Sequence, residues 1–206
     1  MITQEKIIKF KSKQHTIEGL FSGKDKDRAV IITHPHSLYG GNMYNPVVEV
    51  IHNVYRENGY STLRFNFRGV GNSTGVFDDG VGEVEDVSAA FNYLKDRGAS
   101  NIDLAGYSFG AWVNVMFCDN NKNDKINNMV LVSPPVNFIR FKDVKLPALN
   151  FVVTGGQDEI APPEMIKPMM KVWNLKAEFK VIDYADHFYF DSLEKLKNLL
   201  ENNLTF

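Results

Sequence analysis

The chain has 206 residues, 44% of them hydrophobic and 23% charged, a composition that suits one globular domain over residues 1–206 with a substantial core. A formal net charge of −2 gives no general attraction to nucleic acid or to an anionic membrane, so neither is expected as a partner. No apolar run approaches the ~18 residues that span a bilayer, and the opening stretch MITQEKIIKFKSKQ lacks the apolar segment of a secretory signal. The lone cysteine, Cys118, permits no internal disulfide, and a cytoplasmic location is the expectation.

Taken in order, the first elements are two strands, KIIKFK and TIEGLF, joined by a polar turn. Residues 29–34 (AVIITH) follow as a strand of the fully buried type. Asn45-Pro46 reads as the cap and first position of a helix whose face is Val47, Val50, Ile51 and Val54, ended by Gly59. Residues 61–67 (STLRFNF) form the next strand, and Val84, Val87, Phe91 and Leu94 mark the next helix, stopped by Gly98. Residues 101–107 (NIDLAGY) are a strand running into a segment that is apolar all round, a helix buried on most sides.

Two further strands are expected at 129–134 (MVLVSP) and 150–156 (NFVVTGG). Residues 165–173 are a helix interrupted by Pro168. The last strand is 178–184 (EFKVIDY), and the last helix has Asp191 as its cap, Glu194 three residues on, and the stripe Leu193, Leu196, Leu200. Strands alternating with helices predict an α/β fold: a mostly parallel eight-stranded sheet with helices on both faces and an antiparallel second strand.

In such sheets ligands bind beyond the carboxyl ends of the strands. Ser108 follows the fifth strand, Asp158 the seventh and His187 the eighth. Serine is a weak nucleophile that needs a base within hydrogen-bond reach. Histidine takes and returns a proton near neutral pH, and a carboxylate holds the imidazole in the useful tautomer. Gly106 and Gly110 flank Ser108 as Gly-Tyr-Ser-Phe-Gly; without Cβ atoms they let the strand turn tightly into the helix and expose the serine. The N–H of Phe109, at the helix start, then points at a developing oxyanion.

Five segments together, HPHSLYGGNMYN, TLRFNFRGVGNSTGVFDDGVGEVEDV, LAGYSFGA, GGQDEIAPP and ADHFY, resemble the α/β-hydrolase superfamily. The likeness covers essentially the whole chain and is to a small, lidless bacterial subgroup similar to dienelactone hydrolases and carboxylesterases. It implies Ser108 as nucleophile, Asp158 as acid and His187 as base, with backbone amides of Phe109 and His36 as the oxyanion hole. Ser37 is the nearest rival to His36, since Pro35 has no N–H. Dienelactone hydrolases place cysteine where this chain has Ser108.

Asp183 and Asp186 are rivals to Asp158, but their sequence adjacency to His187 makes it hard for them to orient the ring from behind. His34 is expected to shape its loop by hydrogen bonding, and His15 and His52 to be partly exposed. His34-x-His36 lacks the further ligands of a metal site, and no metal or organic cofactor is expected. Gly69, Gly71 and Gly75 do not have dinucleotide-binding spacing, and Arg68 is expected to tie loops together. The link between the sixth and seventh strands is too short for a lid domain, and Phe138, Ile139 and Phe141 are expected to wall an acyl pocket.

The expected activity is a serine hydrolase cleaving carboxylic esters or related acyl bonds of small soluble substrates through an acyl-enzyme. The alternatives are a peptidase, acylaminopeptidase or thioesterase on the same fold, and a non-catalytic interaction protein that retained it.

Overall fold

Apolar runs without alternation suit strands covered on both faces, and here they build the middle of the sheet. The structure, a computed structural model, describes residues 5–120 and 125–204. The strands are β1 (Lys6–Ser12), β2 (His15–Ser22), β3 (Arg28–Thr33), β4 (Ser61–Phe65), β5 (Asn101–Tyr107), β6 (Met129–Val132), β7 (Leu149–Gly155) and β8 (Glu178–Ile182). The helices are α1 (Pro46–Glu57), α2 (Val81–Lys95), α3 (Phe109–Asn120), α4 (Pro163–Trp173) and α5 (Leu193–Asn203), with a 3₁₀ turn at Ser37–Tyr39.

All eight strands join one sheet in the order β1-β2-β4-β3-β5-β6-β7-β8. As the sequence predicts, β2 runs antiparallel to β1 and β4, and the other neighbours pair in parallel. Val30, Ile32, Ala105 and Val132 face the core under α1 and α5; Ile31, Leu104, Leu131 and Val152 face the core under α2, α3 and α4. From β3 the chain goes one way to β4 and returns on the other side to β5. That reversal opens a crevice beyond the ends of β3 and β5.

Local signals hold at α1, where the Asn45 side chain accepts the Val47 N–H at 2.9 Å and Pro46 takes the first position. Three expectations are corrected. Helix α4 runs through Pro168; the missing hydrogen bond is tolerated because Ile166, Met170 and Trp173 anchor one buried face. Helix α5 starts after Ser192, not Asp191, because the Ser192 N–H closes a turn onto the Tyr189 carbonyl at 2.9 Å. His52 is buried, its Nδ1 3.0 Å from Thr62 Oγ1; it joins Val48 and Tyr55 on a buried face broader than the predicted stripe. Burial drives its pKa down to about 4, the nearby Glu5 charge opposing.

The loop after β4 is held by Arg68, as expected of it. Its Nη2 donates to Asp86 Oδ1 at 2.9 Å and to Glu85 Oε2 at 3.1 Å, and its backbone N–H donates to Asp86 Oδ2 at 2.9 Å. Asp86 is fully buried, so removing the guanidinium leaves a carboxylate without its counter-charge. Arg68→Met is expected to cost about 3–5 kcal/mol, read as a lower urea midpoint with unchanged slope; a loss under about 1 kcal/mol would show that the ion pair does not hold this loop.

Candidate active site

Strand β5 delivers Ser108 to the crevice in a conformation few serines adopt. Its φ is +54°, in the left-handed region that costs an L-residue about 1–2 kcal/mol. Packing imposes that conformation. A Cβ on Gly106 would lie 2.7 Å from the Ala111 nitrogen, and one on Gly110 would lie 2.6 Å from the Thr33 carbonyl. The two glycines therefore avoid different neighbours: Gly106 clears the first turn of α3, and Gly110 clears the end of β3. The Ser108 N–H is used by the Val132 carbonyl at 2.9 Å, which pins the turn to β6.

Ser108, Asp158 and His187 meet in one hydrogen-bonded chain. Ser108 Oγ lies 2.9 Å from His187 Nε2, and His187 Nδ1 lies 2.9 Å from both oxygens of Asp158. All three are buried, with 7% of Ser108, 6% of His187 and 2% of Asp158 exposed, so the chain works in a medium of low polarity while the serine stays reachable. The loop after β7 holds Asp158 firmly: its Oδ1 accepts the N–H groups of Ile160 at 3.0 Å and Ala161 at 2.7 Å, and the Thr154 hydroxyl, 3.2 Å from Oδ2, ties the same loop by donating to the Ala161 carbonyl at 2.7 Å. Burial works to raise the Asp158 pKa, but the hydrogen bond and charge of His187, together with Ser133 and the Ala161 N–H, outweigh it and hold the group below the usual carboxylate range. Asp158 is thus a carboxylate at neutral pH. Asp183 is exposed, and Asp186 spends its Oδ1 on the N–H groups of Phe188 and Tyr189; neither orients the ring.

The N–H of Phe109 is the first of α3 and has no acceptor within its own helix. Beside it lies the loop after β3, with the His36 ring 4.8 Å from the Phe109 ring. Among the described residues, neither the His36 nor the Ser37 N–H finds an acceptor in the protein. The His36 carbonyl accepts the N–H groups of Tyr39 and Gly41, which folds the loop back on itself. His34 anchors that loop as the sequence suggests: its Nδ1–H donates to the Pro35 carbonyl at 2.6 Å, and its Nε2 accepts the Phe67 N–H at 3.0 Å. Burial lowers its pKa to about 4, which fits the neutral tautomer both bonds require.

Exposed apolar groups crowd this end of the sheet. Phe188 packs edge-on against His187 at 5.6 Å and continues to Phe190, while Tyr39 reaches past His36. Phe138 is exposed, and its neighbour Asn137 is bonded to the Ile160 and Glu159 carbonyls beside Asp158. Phe141 does not join them: it is buried against Trp173 at 5.2 Å, because the β6–β7 link needs an apolar anchor under α4. That link, residues 133–148, contains no helix. Among the described residues no group of three or more His, Cys, Asp or Glu is placed to hold a metal ion, and no helix is long and apolar enough to cross a membrane.

Sequence reasoning missed the groups behind Asp158 and His187. The Tyr107 hydroxyl donates to the His187 carbonyl at 2.7 Å, and Ser133 Oγ lies 2.7 Å from the Tyr189 hydroxyl. The one available signal is positional, since Ser133 ends β6 as Ser108 ends β5.

A parallel sheet with this reversal, a serine on a strained strand-to-helix turn, and a histidine and acid from later strand ends define an α/β-hydrolase. The chain belongs to that superfamily, among its small lidless serine hydrolases. It is 36% identical over 211 residues to an uncharacterized protein of Rickettsia prowazekii, covering 96% of this chain and 87% of that one. A serine hydrolase homologue from Coxiella burnetii superposes with a TM-score of 0.87 at 35% identity, over 100% of this chain and 99% of that one. A serine hydrolase without a lid from Xanthomonas campestris gives 0.88 at 27% identity, over 98% and 94% of the two chains. No family model matches the chain.

Proposed function

We propose that this protein hydrolyses carboxylic esters, or closely related acyl bonds, of small substrates through an acyl-enzyme on Ser108. The observation that carries the reading is the unbroken chain from Ser108 Oγ through His187 to Asp158, each link 2.9 Å. With Nδ1–H donated to the carboxylate, Nε2 is free to accept the serine proton. Ser108 attacks the acyl carbon while His187 takes the proton, and Asp158 stabilises the imidazolium that forms. The N–H groups of Phe109 and His36 hold the oxyanion; one such donor is worth about 3–4 kcal/mol in related chemistry. His187 then protonates the leaving alcohol, and by the reverse path activates the water that releases the acid.

The absence of a helix in the β6–β7 link and the exposed aromatic rim of Tyr39, Phe138 and Phe188 favour an open site that takes small or extended substrates from solution. Phe138 and Ile139, beside the Asp158 loop, are the candidates for the acyl wall.

A fluorophosphonate mimics the acyl substrate and traps an activated serine. One adduct per folded chain is expected, mapped by mass spectrometry to Ser108, with turnover of short p-nitrophenyl esters exceeding that of long-chain triglyceride emulsions. A folded protein that takes no adduct, or takes it at another residue, overturns the reading.

A further inference from the structure

His187 touches two aromatic rings in opposite surroundings. Tyr107 is buried, its ring 5.5 Å from the imidazole, whereas Phe188 stands edge-on at 5.6 Å and is 56% exposed. Phe190 extends that surface: its ring lies 5.6 Å from Phe188 at 33°, and it is 77% exposed. Tyr189, between them, is fully buried. The backbone that sets this alternation is restrained at each step. The Tyr107 hydroxyl donates to the His187 carbonyl at 2.7 Å, and Asp186 Oδ1 accepts the N–H groups of Phe188 at 3.0 Å and Tyr189 at 2.8 Å. The Ser192 N–H donates to the Tyr189 carbonyl at 2.9 Å. Tyr189 has φ +57°, a conformation that a tyrosine keeps only where its surroundings over-determine it. The chain thus accepts backbone strain in a segment that leaves two phenylalanines in water beside the base. Neighbouring apolar side chains held out in this way mark a binding surface.

We propose that Phe188 and Phe190 form a stacking platform for the alcohol half of the substrate, and that this alcohol is aromatic. The proposal rests on the serine-hydrolase reading above. The path of the proton decides which half of the ester meets the platform. When the tetrahedral intermediate collapses, the bond from the acyl carbon to the alcohol oxygen breaks. Its electron pair stays on that oxygen, and the proton on His187 Nε2 moves there. The alcohol oxygen must therefore lie within hydrogen-bond reach of Nε2, and its substituent leaves along the exposed side of the imidazole, where Phe188 stands. The acyl half stays bonded to Ser108 Oγ. An aromatic substituent can meet these rings offset or edge-on at centroid spacings of about 4.5–7 Å, a gain that a saturated ring of the same size lacks.

Benzyl acetate and cyclohexylmethyl acetate carry alcohols of nearly equal size and give the same acetyl-enzyme, so kcat/KM compares their alcohol halves alone. The wild type is expected to favour benzyl acetate about fivefold, the rate equivalent of one aromatic pair. Phe188→Leu keeps an apolar side chain and removes the ring; it is expected to bring that ratio within about twofold of unity, and Phe190→Leu to lower it about twofold. Ethyl phenylacetate and ethyl cyclohexylacetate move the ring to the acyl half, and their ratio is expected to be the same in wild type and variants. No benzyl preference in the wild type, a preference that survives Phe188→Leu, or an equal fall in the acyl-side ratio overturns the platform. So does a wild type that sediments as a dimer and becomes monomeric on Phe188→Leu with both ratios unchanged, which gives the rings to a second copy. A wild type inert to fluorophosphonate overturns the hydrolase reading and the platform with it; a labelled wild type without the benzyl preference overturns the platform alone.

Discussion

Ser108→Ala is expected to fold and to lower kcat on short esters by about 10⁶, the loss seen when the nucleophile of a serine hydrolase is removed. The size follows from the route: with no hydroxyl at the elbow there is no acyl-enzyme, and only the oxyanion donors and substrate binding still accelerate attack by water. The same position offers an internal control. Ser108 holds φ +54°, a strain that alanine shares and glycine escapes, so Ser108→Gly is expected to be about 1 kcal/mol more stable than Ser108→Ala while equally inactive. Turnover and urea midpoints of both variants check this. A Ser108→Ala enzyme within about tenfold of wild type would mean that another group attacks the substrate.

Asp158→Asn is expected to keep its fold and lose about 10⁴ in kcat. The surroundings of Asp158 say why so small a change is so costly. Two backbone donors, Ile160 and Ala161, converge on Oδ1, so an asparagine must place its carbonyl there. Its NH₂ then takes the Oδ2 position, 2.9 Å from His187 Nδ1, and donates to that nitrogen. The proton of the neutral ring moves to Nε2, which faces Ser108 Oγ at 2.9 Å and can no longer accept. Steady-state kinetics with a fluorophosphonate labelling rate give the readout. Full activity would show that Asp158 is not the acid, and would direct attention to Asp186, the remaining carboxylate beside the histidine.

These effects explain how unevenly the site was legible in the chain. Ser108 stood out because its flanking glycines interrupt an apolar stretch, and Asp158 and His187 because they follow strands, where a parallel sheet exposes what comes next. Each signal is local: a residue type at a fixed offset from an element end. Ser133 also follows a strand, yet serine at a strand end is common, and only the packing that brings Tyr189 to 2.7 Å distinguishes it. Arg68 was readable as a loop tie from its place after β4, but its partner Asp86 lies on α2 and is chosen by how that helix docks.

The errors have the same origin. Pro168 is a helix breaker by local rule, yet α4 continues because three buried side chains outweigh one missing hydrogen bond. His52 read as partly exposed because polar residues usually are, but α1 buries a face wide enough to enclose it. Phe141 read as a pocket wall from its place in the β6–β7 link, and instead anchors that link on Trp173.

By itself the sequence determined the eight strands, their alternation with helices, the elbow, and the order serine, acid, histidine, since strand runs, caps and tight turns are written in neighbouring residues. Only the tertiary structure decided that Ser108, His187 and Asp158 touch, that Gly110 must clear the Thr33 carbonyl, and that Ser133 and Tyr189 stand behind the acid. Those contacts join residues tens of positions apart, and they exist only once two packed cores have brought the strand ends together.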